Sequence, residues 1–180
     1  MAEVQIRNAV ATDIQTIMGF DHSTTSDYVW QFDLQHGEDQ VGAIFREIRL
    51  PRSINVRYPK TITNLADEWN RQSGMIVAIV EKGVCGYLRL TDNIVPETSW
   101  ITVLVVSPVF RRKGIGKSLI LAAQTWAAER QKSRIIIEMS AKNHPAIKLV
   151  QKMGYEFCGY NDNYYATNDV ALFFGRVLRS

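Results

Sequence analysis

The sequence predicts an α/β fold, a single domain over residues 1–180 in which a mixed, mostly antiparallel sheet is flanked by helices. Three observations predict it. Apolar, β-branched runs at 75–81, 84–90 and 100–106 follow one another at short intervals, the first two joined by Lys82-Gly83, as in a set of antiparallel strands. From Ile115 the apolar residues switch to helical spacing, with Leu119, Ala123, Trp126 and Ala127 on one side and Gln124, Glu129 and Arg130 on others. The run Arg134-Ile135-Ile136-Ile137-Glu138-Met139 then reads as a buried strand reached by that helix, a parallel partner of the 100–106 strand.

The elements follow in order. Val4-Gln5-Ile6-Arg7 alternates as a half-buried strand, and Thr12-Asp13 supplies an N-cap for a helix carrying Ile14, Ile17, Met18 and Phe20. Residues 23–33 begin polar and turn aromatic, with Asp27 and Asp33 interleaved. On its own this pattern suits a helix that packs Tyr28, Trp30 and Phe32 into the core. His36-Gly37-Glu38-Asp39 is a turn, 41–50 a strand that Pro51-Arg52 breaks, and 54–58 an edge strand. The arginines at 46, 49, 52 and 57 read as a solvated face. Thr63-Asn64 caps a helix through Leu65, Ala66, Trp69 and Asn70, ended near Ser73-Gly74. Asp92-Asn93 and Pro96-Glu97 turn the chain into the 100–106 strand. Pro145 suits the first turn of a later helix that Gly154 ends, and 155–160 and 170–177 close the fold as strands.

Between the 100–106 strand and its helix lies Ser107-Pro108-Val109-Phe110-Arg111-Arg112-Lys113-Gly114-Ile115-Gly116-Lys117-Ser118. Pro108 cannot donate to a ladder, so pairing stops there. A basic, glycine-punctuated loop that opens a helix aims several N–H groups one way, with the positive end of the helix dipole behind them. That is an anion site, suited to a pyrophosphate. A nucleoside triphosphate loop would need a glycine where Arg111 stands. A dinucleotide fingerprint would need a third glycine where Leu119 stands, although Glu138 lies near the offset of a ribose-binding acid. A solvated basic turn is the plainest alternative. The pattern Arg-x-x-Gly-x-Gly is met in full by Arg111, Gly114 and Gly116.

With this loop the chain resembles the GNAT-type N-acetyltransferases. Val106-Ser107-Pro108 is similar to that family's strand end, and Asn143-His144-Pro145-Ala146 followed by Gly154-Tyr155 is similar to its next motif. The resemblance covers roughly the C-terminal half, from Tyr87. It implies a splayed pair of parallel strands holding acetyl-CoA as co-substrate. Leu104, Val105 and Val106 would pair with the pantetheine arm and polarise the thioester carbonyl. The amides from Arg112 to Ser118 would hold the pyrophosphate, Arg111, Arg112, Lys113 and Lys117 would add attraction, and Asn143 would contact the coenzyme. The segment most resembles the streptothricin-type acetyltransferases, through Val106-Ser107, Arg111, Lys113-Gly114, Ser118-Leu119-Ile120, Trp126-Ala127, Arg130, Pro145-Ala146 and Gly154.

The implied reaction is direct attack of a primary amine on the thioester in a ternary complex. Residues 23–33 correspond to the family's roof over the acceptor groove. Asp27, Tyr28 and Trp30 would there form an acidic, aromatic wall for a cationic amine, a contact worth ~0.5–2 kcal/mol. Two departures from the family pattern stand out. Thr102 occupies the position of a proton-relaying glutamate, and Val150 that of a tyrosine acid for the thiolate. The proton would then leave through water to Glu97, Asp92 or Glu138, with Tyr155, Tyr160, Tyr164 or Tyr165 replacing the acid; Glu97 and Tyr155 are the first choices. A thiol of pKa ~8.5 leaves with little help. The acceptor is expected to be a small-molecule amine such as an aminated antibiotic or polyamine. A protein or peptide amino group, a non-catalytic acyl-CoA-binding module and a nucleotide-binding protein are the alternatives.

Composition sets outer bounds. A hydrophobic fraction of 46% and a charged fraction of 22% are those of an ordinary globular chain. Net charge +3, without a basic run interleaved with aromatics, calls for no nucleic acid. Cys85 and Cys158 lack zinc spacing, so no metal is expected, and they read as reduced, buried thiols of a cytoplasmic protein, with a disulfide between them as the alternative. No signal peptide and no membrane span are expected. Among partners, a homodimer is left open by the sequence.

Overall fold

The computed structural model describes residues 3–61, 65, 69, 74–81 and 83–178. Its main sheet has the strands β1 (Gln5–Asn8), β4 (Gly74–Val80), β5 (Gly83–Val95), β6 (Thr98–Val106), β7 (Arg134–Ser140), β8 (Glu156–Asn161) and β9 (Ala171–Val177). Their order is β1-β4-β5-β6-β7-β9-β8. The helices are α1 (Ala11–Met18), α2 (Ile115–Glu129) and α3 (His144–Lys152). A separate two-stranded ribbon is made by β2 (Thr24–His36) and β3 (Val41–Val56).

Strand alternation divides the core into two layers. Ile76, Ala78, Leu88 and Leu90 face α2 and α3, where they meet Leu119, Ala123, Ala127, Ile147 and Val150. Met75, Val77, Tyr87, Val103 and Val105 face the other way, against Ile14 and Ile17 of α1. All strand pairs in the main sheet are antiparallel except β6–β7, as the helix crossover requires. That parallel pairing covers 98–101 of β6 against 134–137 of β7. Beyond it β6 stays with β5 as far as Val106↔Gly86, while β7 stays with β9 as far as Ser140↔Ala171. Each strand follows its outer neighbour, so a gap opens between them.

Several local expectations need correction. Helix α1 starts at Ala11 with Val10 at its N-cap; Asp13 sits one turn in, where its carboxylate accepts the Val10 N–H at 2.8 Å. A carboxylate at that position reaches back to a donor the helix leaves free. Residues 24–33 form neither a helix nor a loop but the first strand of the ribbon. Pro51 does not break β3, because it lies in a bulge between the pairs Tyr28↔Arg49 and Ser26↔Ile54, where the ladder asks for no N–H. Strand β5 runs through Asp92-Asn93 to Val95 with an irregularity, leaving Pro96-Glu97 as the turn. Leu65 and Trp69 are helical, whereas the rest of the 63–70 helix and Lys82 of the 82–83 turn lie outside the described residues. Both cysteines are free; Cys85 is buried, but Cys158 is exposed on β8. Among the described residues no helix is long and apolar enough to cross a membrane.

Candidate active site

The glycine loop has the shape its residues dictate. Pro108–Phe110 makes one turn of 3-10 helix, Arg112 takes φ +62° and Gly114 φ +84°, and α2 opens at Ile115. Arg111 N–H bonds the Pro108 carbonyl at 3.2 Å and Ser118 N–H bonds Gly114 at 3.1 Å. Among the described residues no backbone acceptor meets the N–H groups of 112–117. These are the donors a helix start leaves open, and an anion is the natural partner. Arg112, Lys113 and Lys117 are exposed around them, while the Ile115 side chain is buried in the core, leaving only its amide to the loop. A Cβ on Gly116 would stand 3.0 Å from Leu149 Cδ2, so the helix start is pressed against α3.

Arg111 is not a free cation at the rim. Its Nε donates to the Val106 carbonyl at 2.8 Å and its guanidinium to the Ser23 carbonyl at 2.7 Å. Burial pushes its pKa below the ordinary arginine value. The side chain clamps the end of β6 to the segment entering β2.

Carbonyls alternate along a strand, so those of Thr102, Leu104 and Val106 share the edge that faces the gap. Arg111 holds the one at 106. The one at 102 accepts from Lys60 Nζ at 2.7 Å. Between them Leu104 presents its backbone to the gap. The resulting cleft, about 50 Å³, is lined by Thr102 and Leu104 of β6, by Glu138 and Ser140 of β7, and by His22 and Lys60. Glu138 is 3% exposed in its side chain, forms an ion pair with Lys60, and accepts from Tyr164 Oη at 3.2 Å. Burial, with the Glu138 charge behind it, raises the pKa of both Tyr164 and Tyr165. His22 bonds the Phe20 carbonyl through Nδ1 at 2.8 Å and Tyr87 Oη through Nε2 at 2.9 Å. Burial lowers its pKa.

The other candidates fall in different places. Asn143 lines the cleft and caps α3, its Oδ1 accepting from Ala146 N–H at 3.3 Å. Glu97 lies in the turn before β6, at the opposite end of that strand from the loop. It is not among the residues that line the cleft. Tyr155 is buried in the core and its hydroxyl accepts from Gln124 Nε2 at 3.1 Å, away from the cleft lining. The acidic wall is not formed by Asp27, whose exposed carboxylate takes the Ser53 hydroxyl. Tyr28 stacks on His144 at 4.7 Å, and Trp30 lines a second hollow beside Ala141 and Asp169. Beta pairing explains the failure: alternate residues of β2 face opposite sides, so Tyr28, Trp30 and Phe32 share one face and Asp27 and Asp33 the other. The acid that does face the cleft is Glu138, marked in the sequence as the one charge inside the apolar 135–139 run. Nothing in the sequence marks Lys60 or His22 as its companions.

The sequence profile of the acetyltransferase (GNAT) family matches residues 43–155. Streptothricin acetyltransferase of Streptomyces lavendulae is 27% identical over 166 residues, covering 89% of this chain and 86% of that protein. An N-alpha-acetyltransferase of Sulfurisphaera tokodaii is 24% identical over 171 residues, covering 94% and 90% respectively. The crystal structure of nourseothricin acetyltransferase superimposes with a TM-score of 0.82 at 23% identity, over 98% of this chain and 99% of that one.

Proposed function

Because the chain belongs to the GNAT acetyltransferase family, we propose that it moves the acetyl group of acetyl-CoA to a primary amine of a small molecule, by direct attack in the β6–β7 cleft. The observation that carries this reading is the pairing of a buried carboxylate, Glu138, with an ammonium group at the edge where β6 leaves β7. A cleft that already holds one ammonium between a carboxylate and a carbonyl suits another.

The roles follow from position. The amides of 112–117 take the pyrophosphate, with Arg112, Lys113 and Lys117 supplying charge around them. The backbone of Leu104, Val105 and Val106 guides the pantetheine arm and polarises the thioester carbonyl. Asn143 is a further contact for the coenzyme at the start of α3. Glu138 draws in the acceptor ammonium and takes its proton, a role that Thr102 cannot fill. Val150, apolar and buried against the core, supplies no proton to the departing thiolate, which a pKa of ~8.5 makes a tolerable leaving group.

A coenzyme A release assay against aminoglycosides, streptothricin, polyamines and peptide N-termini tests the reading. Turnover with the small polyamines or antibiotics is expected; silence across the panel overturns it. The second reading, a protein N-terminal amine as acceptor, is favoured by the similarity to an N-alpha-acetyltransferase over 94% of this chain. Turnover confined to the peptides selects it.

A further inference from the structure

We propose that Lys60 is itself an acceptor of this enzyme, so that the chain acetylates its own Lys60 side chain when no external amine fills the cleft. The inference rests on the transferase reading above and on the position of one nitrogen. Lys60 Nζ lies between the Glu138 carboxylate and the Thr102 carbonyl. Those are the two partners an acceptor ammonium would need on opposite sides of the cleft. Thr102 and Leu104 are two residues apart on one strand edge, about 7 Å at the rise of a strand. The thioester guided along Leu104 and Val106 would therefore reach its reacting carbon close to this nitrogen.

Reaction at the nitrogen requires that the ammonium be accessible. Here Glu138 is 3% exposed in its side chain, whereas that of Lys60, in the lining of the cleft, is 29% exposed. Residues 57–61 follow the end of β3 without belonging to a strand or helix. The flexible four-carbon stem of a lysine lets its ammonium leave the pair and return. An external amine must displace it, so the two acceptors compete for one place.

The step balances with acetyl-CoA as the only co-reactant. Lys60 gives one ammonium proton to Glu138, and its lone pair attacks the thioester carbonyl carbon. The N–C bond forms, the C–S bond breaks, and the nitrogen loses its second proton. One of the two protons ends on the coenzyme thiolate and the other in solvent. The products are Nε-acetyl-Lys60 and coenzyme A. Acetylation removes the positive charge, so the Glu138 pair is lost and the cleft is left open to an external ammonium.

The test is intact-mass analysis and peptide mapping of the full chain incubated with acetyl-CoA and no added amine. One acetyl group at Lys60 is expected, absent in Lys60→Arg, slowed about a hundredfold in Glu138→Gln, and suppressed by a saturating amine that the enzyme accepts. Lys60 left unmodified while the chain turns over external amines overturns the proposal and leaves the transferase reading standing. Acetylation of Lys60 at the same rate in Glu138→Gln, or with no suppression by an accepted amine, marks bulk chemistry and also overturns it. The competition arm needs only the wild-type chain, so it holds even if a variant fails to fold. Coenzyme A release by Lys60→Arg with external amines tests the transferase reading separately.

Discussion

Arg111 Nε donates to the Val106 carbonyl oxygen at 2.8 Å, so the first residue of the glycine loop holds the last residue of the strand before it. The same guanidinium reaches the carbonyls of Ser23 at 2.7 Å and Asp21 at 3.4 Å. One side chain thereby joins β6, the loop and the segment between α1 and β2. Arg111→Ala is expected to cost about 1–3 kcal/mol in urea unfolding, since it leaves part-buried carbonyls without donors. It should also raise the KM for acetyl-CoA, because the loop amides are no longer set against the strand. Arg111→Lys should fail to restore either property, as a single ammonium cannot reproduce a planar fork of donors. Full recovery by lysine would show that charge alone matters there.

Gly114 and Gly116 serve different ends, and substitutions separate them. At Gly114, φ is +84° and a Cβ would meet nothing within 4 Å. The cost of a side chain there is backbone conformation, about 1 kcal/mol for alanine, and Gly114→Asn should be milder than Gly114→Val because asparagine tolerates that region. At Gly116, φ is not in that region, yet a Cβ would lie 3.0 Å from Leu149 Cδ2. Gly116→Val should therefore push α3 away and weaken acetyl-CoA binding more than Gly114→Asn does. Calorimetric titration with acetyl-CoA reads the difference, and Gly116→Val in a Leu149→Ala background should recover part of it.

These two residues show what a sequence discloses. The strand, loop and helix around 100–130 are local: apolar run, proline stop, glycine turn and helical spacing all lie side by side, and the structure places them as expected. Of the ribbon, the strand over 41–50 and its continuation at 54–56 were legible, whereas 24–33 reads as a helix although Tyr28, Trp30 and Phe32 recur at every second residue, as in a strand. Pro51 argued for a break that a bulge makes unnecessary. At the site, Glu138 was visible as a charge inside an apolar strand, but its meeting with Lys60 depends on β7 leaving β6 after Ile137. No nearest-neighbour pattern encodes that divergence. Glu97 and Tyr155 attracted attention by type and proximity in sequence, and the topology carries both out of the cleft.

His22 makes the cleft sensitive to acid. Burial lowers its pKa, the neighbouring Arg111 charge acts the same way, and the Phe20 carbonyl with Asp21 opposes them. In the unfolded chain the imidazole titrates near the ordinary value of ~6.5. The folded value lies lower, so the unfolded state binds more protons as the pH drops below ~6.5. The contribution of His22 is thus complete above that pH and is lost as the pH falls through the folded pKa. Urea midpoints measured from pH 7 to pH 5 should decline in the wild type. His22→Gln, which can still bond Tyr87 but does not titrate, should show a flatter course over the same interval. Parallel curves would remove His22 as the cause.

Glu138 and Glu97 give the sharpest comparison. Both are carboxylates near the β6–β7 pair, yet only Glu138 faces the gap, where it meets Lys60 and Tyr164. Glu97 sits in the turn at the far end of β6, and its carbonyl accepts from Ser133 N–H at 3.0 Å. Glu138→Gln preserves shape and one acceptor oxygen but cannot take a proton, so kcat should fall by about 10²–10⁴ with acetyl-CoA affinity little changed. Glu97→Gln should leave kcat as it is. Tyr155→Phe should likewise spare kcat while losing about 1 kcal/mol of stability with the Gln124 hydrogen bond. Steady-state kinetics on the best amine of the panel, with acetyl-CoA affinity measured separately, decides the assignment. If Glu97→Gln or Tyr155→Phe lowered kcat as far as Glu138→Gln does, the proton would have to leave by a route other than the cleft between β6 and β7.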